Sequence, residues 1–195
     1  MKAILDLDTG IDDALALAYA LAHPHLELIA VTCTYGNVTV PLAVRNTLAL
    51  LELLDRPDIP VFAGPSPDGF QPSEISSFIH GQNGVGEVLL TPSDKTEDTQ
   101  PATDFLLQAV RDYGDDLVII PTGPSTTIAQ AMLADATFAT HAHIVMMGGA
   151  LTVPGNVSAW AEANISQDPD ATDYLFRHSQ DVTMVGLDVT LRTLL

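Results

Sequence analysis

Four carboxylates surround one glycine in residues 4–17, ILDLDTGIDDALAL: Asp6, Asp8, Asp12 and Asp13 about Gly10. Asp8, Asp12 and Asp13 fall within six residues, and acids gathered so closely repel one another unless a cation intervenes. The pattern points to a metal or a catalytic site. The competing structural reading is helix capping. Thr9-Gly10-Ile11-Asp12 approximates a capping box with Asp at its third position, and a helix dipole favours acids in the first turn. Capping accounts for Thr9 and Asp12 and leaves Asp8 and Asp13 unexplained.

Two later stretches carry chemistry of another kind. Residues 148–164 hold Asn156, Glu162 and Asn164 among small residues, and amides with a carboxylate offer the donors and acceptors that a polyhydroxylated ligand needs. Asn156, following Pro154-Gly155, also fits plain turn chemistry, and an isolated Glu is ordinarily only solvated. In IHGQNGVG, residues 79–86, His80 stands beside Gly81, Gly84 and Gly86. That stretch reads either as a flap that moves over a ligand or as a solvated loop with an incidental histidine.

The elements that must position these residues alternate regularly. Strands are expected at residues 2–7, 26–33, 60–63, 116–121, 142–147 and 182–187, and helices at 13–21, 41–54, 102–113, 125–134 and 170–178. Only residues 64–100, rich in Gly, Pro, Ser and Asp, read as a long irregular segment, of the kind that is functional or mobile. Alternation of this kind implies a single α/β domain, a mostly parallel doubly wound sheet with helices on both faces. Asp8, Asn37, Thr122, Met147 and Asp188 then follow successive strands. They would share the rim where such sheets bind ligands.

Composition narrows the partners. Seven Lys and Arg against 25 Asp and Glu give a net charge of −18, which argues against nucleic acid or an anionic membrane. Cys33 is the only cysteine, so no intrachain disulfide forms. No apolar run approaches the roughly 18 residues of a membrane span, and the chain opens directly into a strand without a signal pattern. A cytoplasmic protein is the expectation.

The chain resembles the nucleoside hydrolases of the inosine-uridine type. The resemblance rests on LDLDTGIDDALAL, TYGNV, HGQNGVG, PTGPSTTIA, MMGGA, PGNVSAWAEANISQDPDA and MVGLDVT, in that order along the whole chain. It implies hydrolysis of the N-glycosidic bond of ribonucleosides. It further implies a Ca²⁺ held by Asp8, Asp13 and the Thr122 carbonyl, with Asp8 also the general base for a calcium-bound water. Asp12, Asn37 and Asn164 would hold the ribose hydroxyls, and Asn156 and Glu162 the 5′-hydroxyl end, with Met147 nearby.

The sequence departs from that family in three respects. No residue matches the later His-Asp pair of longer members, Ala163 stands where an aromatic is common, and Thr127 replaces a usual Asn. The apolar pair Leu194-Leu195 at the end of the sequence is expected to need a cover, through a homo-oligomer or a complementing chain. Weak calcium affinity and poor turnover are expected for the chain alone. Two alternatives stand beside the hydrolase: a calcium- and riboside-binding protein without turnover or an inactive fragment of the hydrolase, and a haloacid dehalogenase-like phosphatase using Asp6-Leu7-Asp8. The second needs Thr or Val where Gly10 stands and a lysine at a strand end, whereas the only lysines are Lys2 and Lys95.

Overall fold

The computed structural model describes residues 1–193; the pair Leu194-Leu195 lies outside the described residues. The strands are β1 (Lys2–Leu7), β2 (Glu27–Cys33), β3 (Val61–Ala63), β4 (Leu117–Pro121), β5 (Ile144–Met147) and β6 (Val182–Val185). The helices are α1 (Ile11–Ala22), α2 (Val40–Leu53), α3 (Glu74–His80), α4 (Ala102–Tyr113), α5 (Thr126–Ala134), α6 (Ala136–His141), α7 (Ala163–Gln167), α8 (Pro169–His178) and α9 (Leu187–Thr190).

The strands form one sheet in the order β3-β2-β1-β4-β5-β6, every pair parallel. This is the expected doubly wound α/β sheet. The chain runs outward from β1 to β3 and then returns to lay β4 along the free side of β1. The turn after β1, bearing Asp8, and the turn after β4, bearing Thr122, therefore flank the point where the strand order reverses. At that point the two loops diverge and leave a crevice.

Burial on both sides explains why β1 is apolar at nearly every position. Ile4 joins Ile119, Ile144, Leu106, Ile128 and Leu175 in one core, beneath α4, α5 and α8. Its neighbours Leu5 and Leu7 join Leu17, Val31 and Leu51 in the other, beneath α1 and α2. Alternation along the strand puts Asp6 on the face of Ile4, so an acid enters the first core at the site end of the sheet. Helix α4 shows the same logic: Ala102, Leu106, Ala109 and Val110 are its buried residues, at helical spacing. Phe105 beside them stacks on Phe62 of β3, ring centroids 3.9 Å apart.

Three expectations need correction. The segment 64–100 contains α3, opened by Ser73, whose side chain accepts the Ser76 N–H at 3.1 Å. The short helices α6 and α7 were not anticipated; Asp135 and Glu162 cap them. The capping box at α1 is displaced by one residue. Gly10 is its N-cap, and Asp13, not Asp12, reaches back to the capping N–H.

Leu106 is fully buried, whereas Leu133 on α5 is 65 % exposed. Leu106→Ala is expected to cost about 2–5 kcal/mol and Leu133→Ala less than about 0.5 kcal/mol, read as shifts of the urea unfolding midpoint. Equal midpoints for the two variants would contradict this placement of the core.

Candidate active site

The turn from β1 into α1 is held from several sides. Thr9 has a φ of 35°, a left-handed conformation that a threonine keeps only when its surroundings impose it. Its buried hydroxyl is hydrogen-bonded to that of Thr47 on α2 at 2.8 Å. Asp13 Oδ2 accepts the Gly10 N–H at 2.7 Å, and Asp13 Oδ1 accepts the Thr122 hydroxyl at 2.6 Å. The Thr122 N–H in turn donates to the Asp6 carbonyl at 3.0 Å. The turns after β1 and β4 are thus joined through a carboxyl group.

Asp8 stands beside this junction, fully buried. Its Oδ2 accepts the Asn37 N–H at 2.7 Å. The backbone can deliver that donor because residue 36 is glycine: at φ 155°, a Cβ there would collide with Asp8 Oδ2. The other oxygen, Oδ1, is buried without a protein partner.

The electrostatics of this corner are unfavourable as they stand. Burial pushes the Asp8 carboxyl well above the usual carboxylate range, and the Asp13 charge adds to the effect. Asp13 is raised in the same way, by burial and then by the Asp12 charge. Asp6, behind them, is pushed up to about 7 by burial, although Thr32 donates to it at 2.6 Å. Thr127 faces that carboxyl, yet Thr127 Oγ1 and Asp6 Oδ2 are both without partners of hydrogen-bonding geometry, as is Thr34 Oγ1.

Such a donor set fits a hard cation, which takes carboxylate and carbonyl oxygens and offsets the like charges. No three His, Cys, Asp or Glu side chains converge as a metal group among the described residues. The family resemblance implies the Thr122 carbonyl as a third protein donor, and the hydroxyl of the same residue is tied to Asp13. The carbonyl accepts Asn164 Nδ2 at 2.8 Å, which leaves its second lone pair.

The remaining sequence-selected residues fall into three groups. Asn164 Nδ2 also reaches Met147 O at 3.1 Å and Met147 Sδ at 3.2 Å, so Thr122, Met147 and Asn164 meet at one point. Asn37, Asp12 and His80 converge on Gly10, where a Cβ would lie 2.7 Å from Asn37 Nδ2 and from His80 Nδ1 and 2.9 Å from Asp12 Oδ1. His80 Nδ1 accepts the Ile11 N–H at 3.2 Å, so the segment expected to be a flap is docked on the start of α1. Asp12 itself is exposed.

Glu162 and Asn156 form the third group. Glu162 is buried rather than solvated and accepts N–H groups from Gly149 (2.9 Å), Asn164 (3.0 Å) and Ile165 (3.1 Å). Asn156 Oδ1 accepts the Ala163 N–H at 2.9 Å, as a turn residue would. It makes no hydrogen bond to Asp8, Asp13 or Thr122.

Sequence reasoning named Asp6 but missed its burial and its bond with Thr32, and it missed the Thr9–Thr47 pair; the signal for Asp6 was an acid inside an apolar strand. It also missed Tyr35, whose buried hydroxyl lies 2.9 Å from that of Thr126, itself donating to Asp168 at 2.5 Å. Lys2 pairs with Glu27 at the far end of β1 and Lys95 lies in the segment between α3 and α4, so neither is the lysine at a strand end that the phosphatase reading requires. A cavity of about 310 Å³ between α4 and α6, lined by Leu107, Arg111, Phe138 and His141, lies at the opposite rim.

Residues 3–195 match the family of inosine-uridine preferring nucleoside hydrolases, and the chain belongs to that family. It is 40 % identical over 192 residues to uridine nucleosidase 1 of Arabidopsis thaliana, covering 97 % of this chain and 57 % of that protein. It is 41 % identical over 191 residues to the pyrimidine-specific ribonucleoside hydrolase RihA of a Shewanella species, covering 96 % and 59 %. Among solved structures, a purine-preferring ribonucleoside hydrolase from Gardnerella vaginalis superposes with a TM-score of 0.98 at 52 % identity, over 100 % of this chain and 63 % of that one. The chain spans less than two thirds of the length of each of these relatives.

The raised carboxyls give a pH dependence whose sign follows from linkage. A carboxyl whose folded pKa lies above its unfolded value near 3.8 contributes stability that is fully present below that value. The contribution is lost as pH rises through the folded pKa, which for Asp6 is about 7. The carboxyls that are lowered in the fold, such as Asp135 at about 2, are already ionised in this window. Metal-free protein is therefore expected to melt at a lower temperature at pH 7.5 than at pH 5, and a divalent cation that binds these carboxylates should raise Tm more at the higher pH. A metal-free Tm that rises across this interval in calorimetry would contradict the electrostatic account.

Proposed function

We propose that this chain carries the ribose- and metal-binding half of a ribonucleoside hydrolase site, for which ribonucleoside and water yield ribose and the free base. The observation that carries the reading is Asp8 Oδ1, buried, unpartnered and beside a second buried carboxyl at the switch point of the sheet. Family membership supports a catalytic metal in general; calcium is our assignment, from the all-oxygen donor set of Asp8, Asp13 and the Thr122 carbonyl. When bound, the ion supplies positive charge that makes a nearby water more acidic and holds it in place.

The chain's own residues do the rest. Asp8 accepts the proton of the water as its oxygen attacks C1′ of the ribose. The electron pair of the C1′–N bond leaves with the base, whose nitrogen takes a proton from solvent, and the proton held by Asp8 returns to solvent. As the bond breaks, C1′ and the ring oxygen acquire oxocarbenium character, which buried carboxylates favour. Asp12 and Asn37, beside Gly10, and Asn164, beside Met147, hold the ribose hydroxyls. Asn156 and Glu162 border the 5′ end. His80 covers the sugar from the α3 side.

A calcium- and riboside-binding chain without turnover is the second reading, favoured by the lack of a third acidic side chain converging with Asp8 and Asp13 among the described residues. One assay separates them: release of base and reducing sugar from inosine and uridine in the presence of calcium. Hydrolysis is expected to fall by about 10²–10⁴-fold in Asp8→Asn, while Asp12→Ala should mainly raise KM. Riboside binding without release of base would leave the binder. Retention of more than about a tenth of the rate in Asp8→Asn would remove Asp8 as the base.

A further inference from the structure

We propose that Asp188 is a positioning residue of this site: from the turn after β6, its carboxylate fixes the loop that leads from Met147 to Glu162 and Asn164. The inference rests on the reading above, in which this loop borders the ribose.

The loop leaves β5 beside β6 and is fastened there over four residues. The Gly148 N–H donates to the Val185 carbonyl at 3.2 Å, and the Leu187 N–H donates to the Gly149 carbonyl at 2.8 Å. This approach is possible because residue 186 is glycine, since a Cβ there would sit 2.8 Å from Gly149 O. Asp188, in the first turn of α9, completes the fastening. Its Oδ2 accepts the Leu151 N–H at 2.8 Å, and its Oδ1 accepts the Thr152 N–H at 2.8 Å as well as the Thr152 hydroxyl. Glu162 reaches back from the far end of the loop to the Gly149 N–H at 2.9 Å. Two carboxylates thus hold residues 149–152.

Hydrogen bonds must do this because apolar burial does not. Leu151, Val157 and Trp160 are 78 %, 47 % and 94 % exposed, so the loop drives no greasy anchor into the core. Residues 155–161 bond chiefly among themselves: Gly155 to Ala159, and Val157 and Ser158 to Ala161. A surface loop of this kind opens locally at low cost unless something outside it holds it. A carboxylate accepting several hydrogen bonds is a strong tie of that sort, and those bonds hold the Asp188 carboxyl down at about 2.

What separates positioning from general stability is direction. The hydrogen bonds of the Asp188 carboxylate go to Leu151 and Thr152 and to none of Asp8, Asp13 or Thr122, so its loss should loosen the sugar side and spare the cation side. The test uses the whole chain, wild type, Asp188→Ala and Asp188→Asn. The readouts are calorimetry with calcium alone, calorimetry with pseudouridine in saturating calcium, and amide exchange at Leu151 and Thr152. Pseudouridine is chosen because its carbon–carbon link to ribose is not hydrolysed.

Asp188→Ala is expected to keep its calcium affinity within about twofold, lose at least about tenfold in pseudouridine affinity, and exchange faster at both amides. Asp188→Asn should fall between, because one oxygen remains for Thr152 while its amide nitrogen faces the Leu151 N–H. Unchanged exchange, or unchanged pseudouridine affinity in an Asp188→Ala variant that still binds calcium, overturns the proposal alone. Calcium binding by wild type with no pseudouridine binding overturns the ribose reading, and the proposal with it. Equal losses of calcium and pseudouridine affinity would mark a general structural role and also overturn it.

Discussion

Two carboxyl groups that repel each other, buried at the one place where the strand order of the sheet reverses, govern the arrangement of everything around them. Asp8 and Asp13 are withdrawn from water almost completely, and the fold surrounds them with few neutralising groups: a backbone N–H from Asn37, another from Gly10, and the Thr122 hydroxyl. Such donors reduce the cost of a buried charge without cancelling it. The close backbone passage at Gly36 and the left-handed turn at Thr9 deliver these donors, at positions where ordinary conformations would not. The rest of the sheet and its two cores hold these loops still.

The reversal of strand order explains why the site is composite. Asp8 and Asp13 come from the β1–α1 turn, Thr122 from the turn after β4, Asn37 from the loop after β2, and Met147 and Asn164 from the two ends of the loop after β5. Each arrives at the same rim because all the strands are parallel. Bonds between the loops, such as Thr122 to Asp13 and Asn164 to Thr122, turn separate segments into one surface. A change in one loop is then felt in its neighbours, because the same side chains that line the candidate site tie one loop to the next.

Local signals in the sequence made much of this legible. The β1–α1 corner could be read because an apolar run, a glycine and four acids lie within residues 4–17, and α4 because its buried residues recur at helical spacing. Helix α3 was missed although Ser73 and the spacing of Ile75, Phe78 and Ile79 were available. Those side chains are exposed, and the flanking glycines and prolines outweighed a pattern of one turn. The capping box was misplaced by one residue because Thr9 has a positive φ, which sequence does not display. The burial of Glu162 was not legible, because Gly149, one of its donors, is 13 residues away. Asp188 was placed on the rim, but its ties to Leu151 and Thr152 span 37 and 36 residues, and no local pattern encodes them.

The central claim is that the buried acidic corner is a cation site, and calcium titration calorimetry on wild type and Asp13→Asn tests it most directly. The wild-type chain is expected to bind one Ca²⁺, and Asp13→Asn to bind at least about tenfold more weakly, since a ligand carboxylate and its charge are lost together. Equal affinity in the two proteins, or the absence of calcium binding by correctly folded wild type, would contradict the account.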